Sequence, residues 1–147
     1  MRAVLQRVSR AQVRVEGAVA GAISAGYVAL LGVARGDTQA DVDYIVRKIT
    51  ALRLWPDAQG RMNLPLPPGA GILAISQFTL CGDTRRGLRP SFDLAAPPEE
   101  ARPLYEAVVQ ALRSRGLTVA CGVFQAHMEV ELVNDGPVTL WLDSRGK

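Results

Sequence analysis

The chain is poor in the residues that most often carry chemistry. It has one histidine, His127, and two cysteines, Cys81 and Cys121, which lie 40 residues apart and form no C-x-x-C pair. That inventory cannot supply the Cys/His ligands of a zinc set, so neither a metal nor a cofactor is expected. Lysine is nearly absent, since 15 of the 17 basic residues are arginine. The longest apolar run, residues 27–33 with Gly32 inside it, is far short of the ~20 residues a membrane span needs. Met1-Arg2-Ala3-Val4-Leu5-Gln6-Arg7 offers no apolar segment with a small-residue cleavage site, so no signal peptide is read. The expectation is a soluble, cytoplasmic protein with no membrane partner and two reduced thiols.

What is present is ordinary globular composition. Apolar residues make up 48% and charged residues 21%, which excludes a disordered or fibrous chain. A length of 147 residues suits one domain spanning 1–147. The net charge of +3 permits a polyanionic partner. Arginine's planar fork suits phosphate, although a genome-wide arginine bias gives the same count and is the plainer reading.

Residues 2–33 read as strands. Val13 and Val15 alternate with Arg14 and Glu16, and Glu16-Gly17 offers a turn. Residues 27–33 suit a strand buried on both faces. Val42, Ile45, Ile49 and Leu52 then share one helical face over 38–52, with Asp37 or Thr38 as the cap. The tripeptide Arg35-Gly36-Asp37 is the loop leading into it. A turn at 56–60 precedes a Pro-rich stretch, 64–71, that cannot be a central strand. A second apolar strand, 71–75, runs into Ser76-Gln77-Phe78-Thr79-Leu80. Residues 81–96 form a polar loop with Arg85, Arg86 and Arg89. Helix 97–115 has Leu104, Val108, Ala111 and Leu112 on its inner face. Met128, Val130 and Leu132 alternate with acidic residues, Asn134-Asp135-Gly136-Pro137 reads as a turn, and 138–143 as the closing strand. This order is no regular βαβ alternation. It predicts an α+β single domain with a mainly antiparallel, curved, barrel-like sheet and two main helices.

No G-x-S-x-G, Walker, G-x-G-x-x-G or H-E-x-x-H motif occurs. A Ser-His-Asp hydrolase would have to use His127, whose place at the start of an alternating strand makes it a partly exposed strand histidine. Two segments stand out instead. Ser76-Gln77-Phe78-Thr79 ends an apolar strand in three hydrogen-bonding side chains around one aromatic, where backbone N–H groups can face a ligand. Asn134-Asp135-Gly136-Pro137-Val138-Thr139 puts a Gly-Pro step between strands. Taken singly, each is most simply a strand end and a hairpin.

Together they resemble the two signature motifs of the D-aminoacyl-tRNA deacylases, also called D-tyrosyl-tRNA deacylases. The resemblance extends over nearly the whole chain, through Gln6-Arg7-Val8, Gly60-Arg61-Met62-Asn63, Arg86-Gly87-Leu88-Arg89-Pro90-Ser91-Phe92 and Trp141-Leu142. The departures are Cys81, the 64–71 loop and the 144–147 tail, none of which touches either motif. The resemblance implies a metal-independent hydrolase of the ester between tRNA and a D-amino acid or glycine, acting in chiral proofreading. It implies a barrel-like homodimer with active sites at the subunit interface. Ser76, Gln77, Phe78 and Thr79 would be the catalytic set of one subunit. Gly136 and Pro137, joined by a cis bond, would enter from the neighbour and bind substrate together with Asn134 and Arg7, the latter supporting the loop. The implied partner is aminoacyl-tRNA, through its 3′-terminal adenosine and aminoacyl group, with Arg85, Arg86 and Arg89 available for phosphates. The general base is either Thr79 or the substrate's own ribose 2′-hydroxyl, and the second is preferred because nothing near Thr79 in sequence would deprotonate it. A catalytically silent RNA-binding module and a small-molecule esterase are the alternatives.

Overall fold

The computed structural model describes residues 1–146; Lys147, the end of the tail noted above, lies outside them. Two long strands organise the chain, β1 (Arg2–Val15) at its start and β8 (Glu129–Asp143) at its end. They pair antiparallel from Arg2↔Asp143 to Arg14↔Glu129. On its other edge β1 pairs first with β3 (Gly26–Gly32) and then with β2 (Ala18–Ile23). Glu16-Gly17 closes the β1–β2 hairpin as a two-residue turn with φ of 51° and 78°, the left-handed pair that matches the strand twist.

The sheet continues from β3 to β6 (Gly71–Ser76) and from β6 to β7 (Thr118–Cys121), both in parallel. The α+β reading with a curved sheet and two helices therefore holds, but the strand directions are mixed rather than mainly antiparallel. The reason lies in the connections. Parallel neighbours need a long crossover, and the two helices supply it: α1 (Gln39–Ala51) between β3 and β6, and α2 (Pro98–Arg113) between β6 and β7. A small hairpin, β4 (Trp55–Pro56) with β5 (Met62–Leu64), stands apart from this sheet. The sheet curls until its ends almost meet. A Cβ added to Gly21 of β2 would lie 2.6 Å from the Cys121 carbonyl oxygen of β7.

Both faces of the central strands are covered, as their unbroken apolar runs require. Tyr27, Ala29, Leu31, Ile72 and Ala74 join the core under the two helices. Val28, Leu73 and Ile75 point into a second core inside the curl. β1 contributes to both. Ala3 and Leu5 belong to the helix-side core, whereas Val8, Ala11 and Val13 belong to the inner one. Strict alternation would put residues 3, 5, 11 and 13 on one face. A register irregularity between Val8 and Arg10 flips the phase.

Both helices lie within the predicted bounds. At the start of α1 the Thr38 N–H donates to the Asp41 carboxylate at 2.7 Å, half of a reciprocal cap. In α2 the fully covered stripe is Ala101, Tyr105, Val108, Val109 and Leu112, so Leu104 and Ala111 flank the inner face rather than centring it. The segment read as a turn at 134–137 is part of β8. Thr139 stands opposite Gln6 and Asn134 opposite Val8, leaving residues 135–138 facing Arg7 alone. The chain bulges there instead of reversing. Cys81 is buried, Cys121 half-buried, and the two are unpaired.

Two measurements test this packing. The β3–β6 pair is so close at its start that a Cβ on Gly26 would fall 1.8 Å from the Gly71 carbonyl oxygen. Gly26→Ala should destabilise the fold by more than the ~1–3 kcal/mol typical of overpacking, read as a shifted urea midpoint; an unchanged midpoint would contradict the register. Burial also pushes the Cys81 thiol above its usual pKa. A thiol reagent should therefore label Cys81 only as fast as the protein unfolds.

Candidate functional site

The apolar run of β6 ends at Ser76, which still pairs with Leu31. Gln77 makes the last sheet-like bond, its N–H donating to the Leu31 carbonyl at 2.7 Å. Residues Phe78–Cys81 then wind into one 3-10 turn. The motif Ser76-Gln77-Phe78-Thr79 thus straddles a strand end and a tight turn rather than prolonging the strand. The first N–H groups of such a turn have no partner of their own. Those of Phe78 and Thr79 bond to no backbone carbonyl among the described residues. The Gln77 side-chain amide donates to the Thr79 hydroxyl oxygen at 2.5 Å. Phe78 is 57% exposed, unusual for an aromatic in a small protein, and meets Phe92 edge-on with centroids 5.1 Å apart.

Ser76, Gln77 and Phe78 line one wall of an open cavity of about 650 Å³. Facing them are Phe92 from the polar loop, Tyr105 of α2, and Phe124, His127 and Met128 from the segment before β8. Sequence reasoning missed this second wall. Phe124 lies in a loop with no periodicity to mark it, and His127 falls just before β8 rather than inside a strand. The Tyr105 hydroxyl donates to the Ala74 carbonyl at 3.0 Å, and burial pushes its pKa upward, with Cys121 adding to the effect. It is a neutral wall at physiological pH.

The second motif sits elsewhere in the same chain. Neither Gly136 nor Pro137 is among the cavity's lining residues, and nor are Thr79, Arg7 or Asn134. Gly136 and Pro137 are exposed on the β8 bulge, and the bond between them is cis. Asn134 closes the base of the bulge. Its Nδ2 donates to the Thr139 hydroxyl at 2.7 Å, and its Oδ1 accepts the Val138 N–H at 3.2 Å. Arg7 fills the space beneath. Its Nε lies 3.3 Å from both the carbonyl and the carboxylate of Asp135, while Nη1 donates to the Leu54 carbonyl. The guanidinium rests on the Trp55 ring at 5.6 Å. A Cβ on Gly136 would meet Arg7 Nη2 at 3.0 Å, and with φ of 124° only glycine sits there easily. No group of three or more His, Cys, Asp or Glu side chains that could hold a metal ion occurs among the described residues. No helix among them is long and apolar enough to cross a membrane.

Residues 4–143 match the family model described as D-Tyr-tRNA(Tyr) deacylase. The chain belongs to this family. It is 59% identical over 146 residues to the D-aminoacyl-tRNA deacylase of Anaeromyxobacter dehalogenans (strain 2CP-C), covering 99% of this chain and 98% of that one. It is 57% identical over 145 residues to the D-aminoacyl-tRNA deacylase of Symbiobacterium thermophilum, covering 98% and 96% of the two chains. Among solved structures it is similar to the c-Myc DNA Unwinding Element Binding Protein, with 40% identity, a TM-score of 0.92, and coverage of 99% and 100%. A probable eukaryotic D-amino acid tRNA deacylase shares the fold at a TM-score of 0.79 with 16% identity, over 96% and 97% of the chains. Both motifs fall within the family's matched span.

The bulge should depend on its arginine. In Arg7→Ala the backbone amides of residues 134–136 and 138 should exchange with solvent at least tenfold faster, about 1.4 kcal/mol of lost local stability. Exchange in β3 and β6 should be unchanged. Mass-spectrometric hydrogen exchange resolves the two regions, and equal protection of 134–138 in both proteins would show that Arg7 does not hold the loop.

Proposed function

We propose that this protein is a D-aminoacyl-tRNA deacylase that hydrolyses the ester between a D-amino acid, or glycine, and the 3′-terminal adenosine of tRNA. The observation that carries the reading is the Ser76-Gln77-Phe78-Thr79 motif at the rim of a cavity with two free N–H groups. Its volume of about 650 Å³ is in the range of sites for molecules the size of an aminoacyl-adenosine. Phe78, Phe92 and Phe124 offer aromatic surface for the base.

The chemistry asks little of the protein. An aminoacyl ester is already activated, so a modest lowering of the barrier suffices. A water adds to the ester carbonyl, the carbonyl oxygen takes the negative charge, and the bond to the ribose 3′-oxygen breaks as that oxygen gains a proton. The N–H groups of Phe78 and Thr79 stabilise the oxyanion, each donor being worth roughly 3 kcal/mol. The Thr79 hydroxyl oxygen already accepts from Gln77, and an amide cannot take its proton. The ribose 2′-hydroxyl therefore takes the proton from the attacking water while passing its own to the departing 3′-oxygen, with no metal involved.

A homodimer completes the site. Gly136 and Pro137 are exposed and lie outside their own chain's cavity, while Trp141 on the same strand is 53% exposed. Such apolar surface on β8 suits contact with a second copy. The neighbour's Gly136 and Pro137 carbonyls hold the substrate amine, so a D side chain points to solvent and an L side chain runs into Pro137. Glycine has nothing to reject and is admitted.

Paired rates on the D and L forms of one aminoacyl-tRNA, with a chelator present, test the reading. Hydrolysis of the D form and survival of the L form are expected; equal rates on both, or none on either, would overturn it. Thr79→Ala should keep measurable activity, whereas a substrate ending in 2′-deoxyadenosine should lose more than that variant does. An aminoacyl group trapped covalently on Thr79 would contradict the mechanism. Activity should also fall on dilution in step with dissociation in sedimentation, and an active monomer would end the cross-subunit model.

A further inference from the structure

The polar loop after the first motif is a built element. Its ends are locked by two backbone bonds, Asp83 N–H to the Ser91 carbonyl at 2.7 Å and Ser91 N–H to the Asp83 carbonyl at 2.9 Å. The Ser91 hydroxyl donates to the Asp93 carboxylate at 2.8 Å. Next to this lock Phe92 leans on Phe78 and lines the cavity, and the space over Gly82 is filled by the Phe92 ring. The hairpin 83–91 is therefore fixed to the cavity rim.

Its three arginines are not equivalent. Arg85 is spent on Asp83, through Nε at 2.9 Å and Nη2 at 2.5 Å, a fork that holds the Asp83 carboxyl well below its usual pKa. Arg86 and Arg89 are exposed and make no ion pair or side-chain hydrogen bond among the described residues. Between them Leu88 is fully exposed, at 103%. Arg89 is three residues from Phe92, at most ~10 Å along the chain. The one carboxylate inside the hairpin's ends is already neutralised by Arg85, so the field at its tip is that of two uncompensated guanidinium groups.

We propose that Arg86 and Arg89, and not Arg85, bind backbone phosphates of the single-stranded 3′ end of tRNA, so that this hairpin guides the terminal nucleotide into the cavity beside Phe92. This rests on the deacylase reading above, which requires the terminal adenosine in that cavity with its 5′-phosphate leaving through the rim. A guanidinium binds phosphate oxygens through paired N–H donors. Leu88 gives the tip apolar surface against an unstacked base or sugar.

The test separates this assignment from the deacylase reading. Uncharged tRNA is titrated against the unaltered protein, Arg86→Ala/Arg89→Ala, Arg86→Lys/Arg89→Lys and Arg85→Ala, at several KCl concentrations. Each phosphate contact on a single strand contributes ~0.7 to the slope of log affinity against log salt, so the double alanine variant should lose about 1.4 from that slope. The double lysine variant should keep most of it, and Arg85→Ala, which removes one charge from the same hairpin, should change it little. KM for D-aminoacyl-tRNA should rise about tenfold in the double alanine variant with kcat unchanged, while hydrolysis of D-aminoacyl-adenosine, which has no phosphate, stays the same. An unchanged slope in the double alanine variant, or an equal loss in Arg85→Ala, would overturn the assignment. Failure of the unaltered protein to hydrolyse D-aminoacyl-tRNA would sink the deacylase reading, and the titration with uncharged tRNA would still decide the hairpin's role.

Discussion

The antiparallel ladder between the first and last strands is the constraint from which the rest follows. β1 and β8 are paired along almost their whole length, but four residues of β8 face the single residue Arg7. A ladder cannot absorb three extra residues flat, so the backbone leaves the sheet there and Gly136 and Pro137 stand clear of it. The guanidinium of Arg7 fills the gap this opens and binds the departing chain at Asp135. Remove the ladder and there is nothing to project from; remove the arginine and the projection has no floor.

The same sheet fixes the first motif at its opposite side. β6 lies between two parallel neighbours with apolar side chains on both faces, so its end cannot shift. The strand stops where Gln77 makes its last bond to Leu31, and the 3-10 turn that follows leaves two N–H groups without backbone partners. Under the deacylase reading this rigidity serves chemistry, because donors held in place need no reorganisation when charge develops on a substrate. The hairpin at 83–91 extends that fixed rim outward by its backbone lock and the Phe78–Phe92 contact.

One chain therefore holds two well-formed but separate parts. The cavity has aromatic walls with the first motif at its rim, and the exposed bulge carries Gly136 and Pro137, neither of which lines that cavity. That separation is what the proposal of a site shared between copies rests on. Asn134 illustrates the division of labour: both ends of its side-chain amide are used inside the bulge, so its part is to shape the loop.

Much of this was legible in the sequence, and the reasons are specific. The apolar run of β3 marked a strand buried on both faces, that of β6 marked a second apolar strand, and the spacing of Val42, Ile45 and Ile49 marked α1, because burial imposes its period on the chain. The two motifs marked the family through residue order alone. Strand direction, by contrast, depends on how a crossover packs, which no local pattern carries, and so the parallel β3–β6–β7 arrangement came only from the fold. The turn expected at 134–137 proved to be a bulge because a reversal and a bulge use the same Asn, Asp, Gly and Pro. What separates them is whether the flanking strands pair with each other or with a third strand more than 120 residues away, here β1. Likewise the chain displays Arg85, Arg86 and Arg89 as equals, and only the folded hairpin, by placing Asp83 against one of them, leaves the other two free. Local sequence determined which segments must be buried and which chemistry is at hand. Tertiary structure decided which groups face each other, because that depends on contacts between residues far apart in the chain.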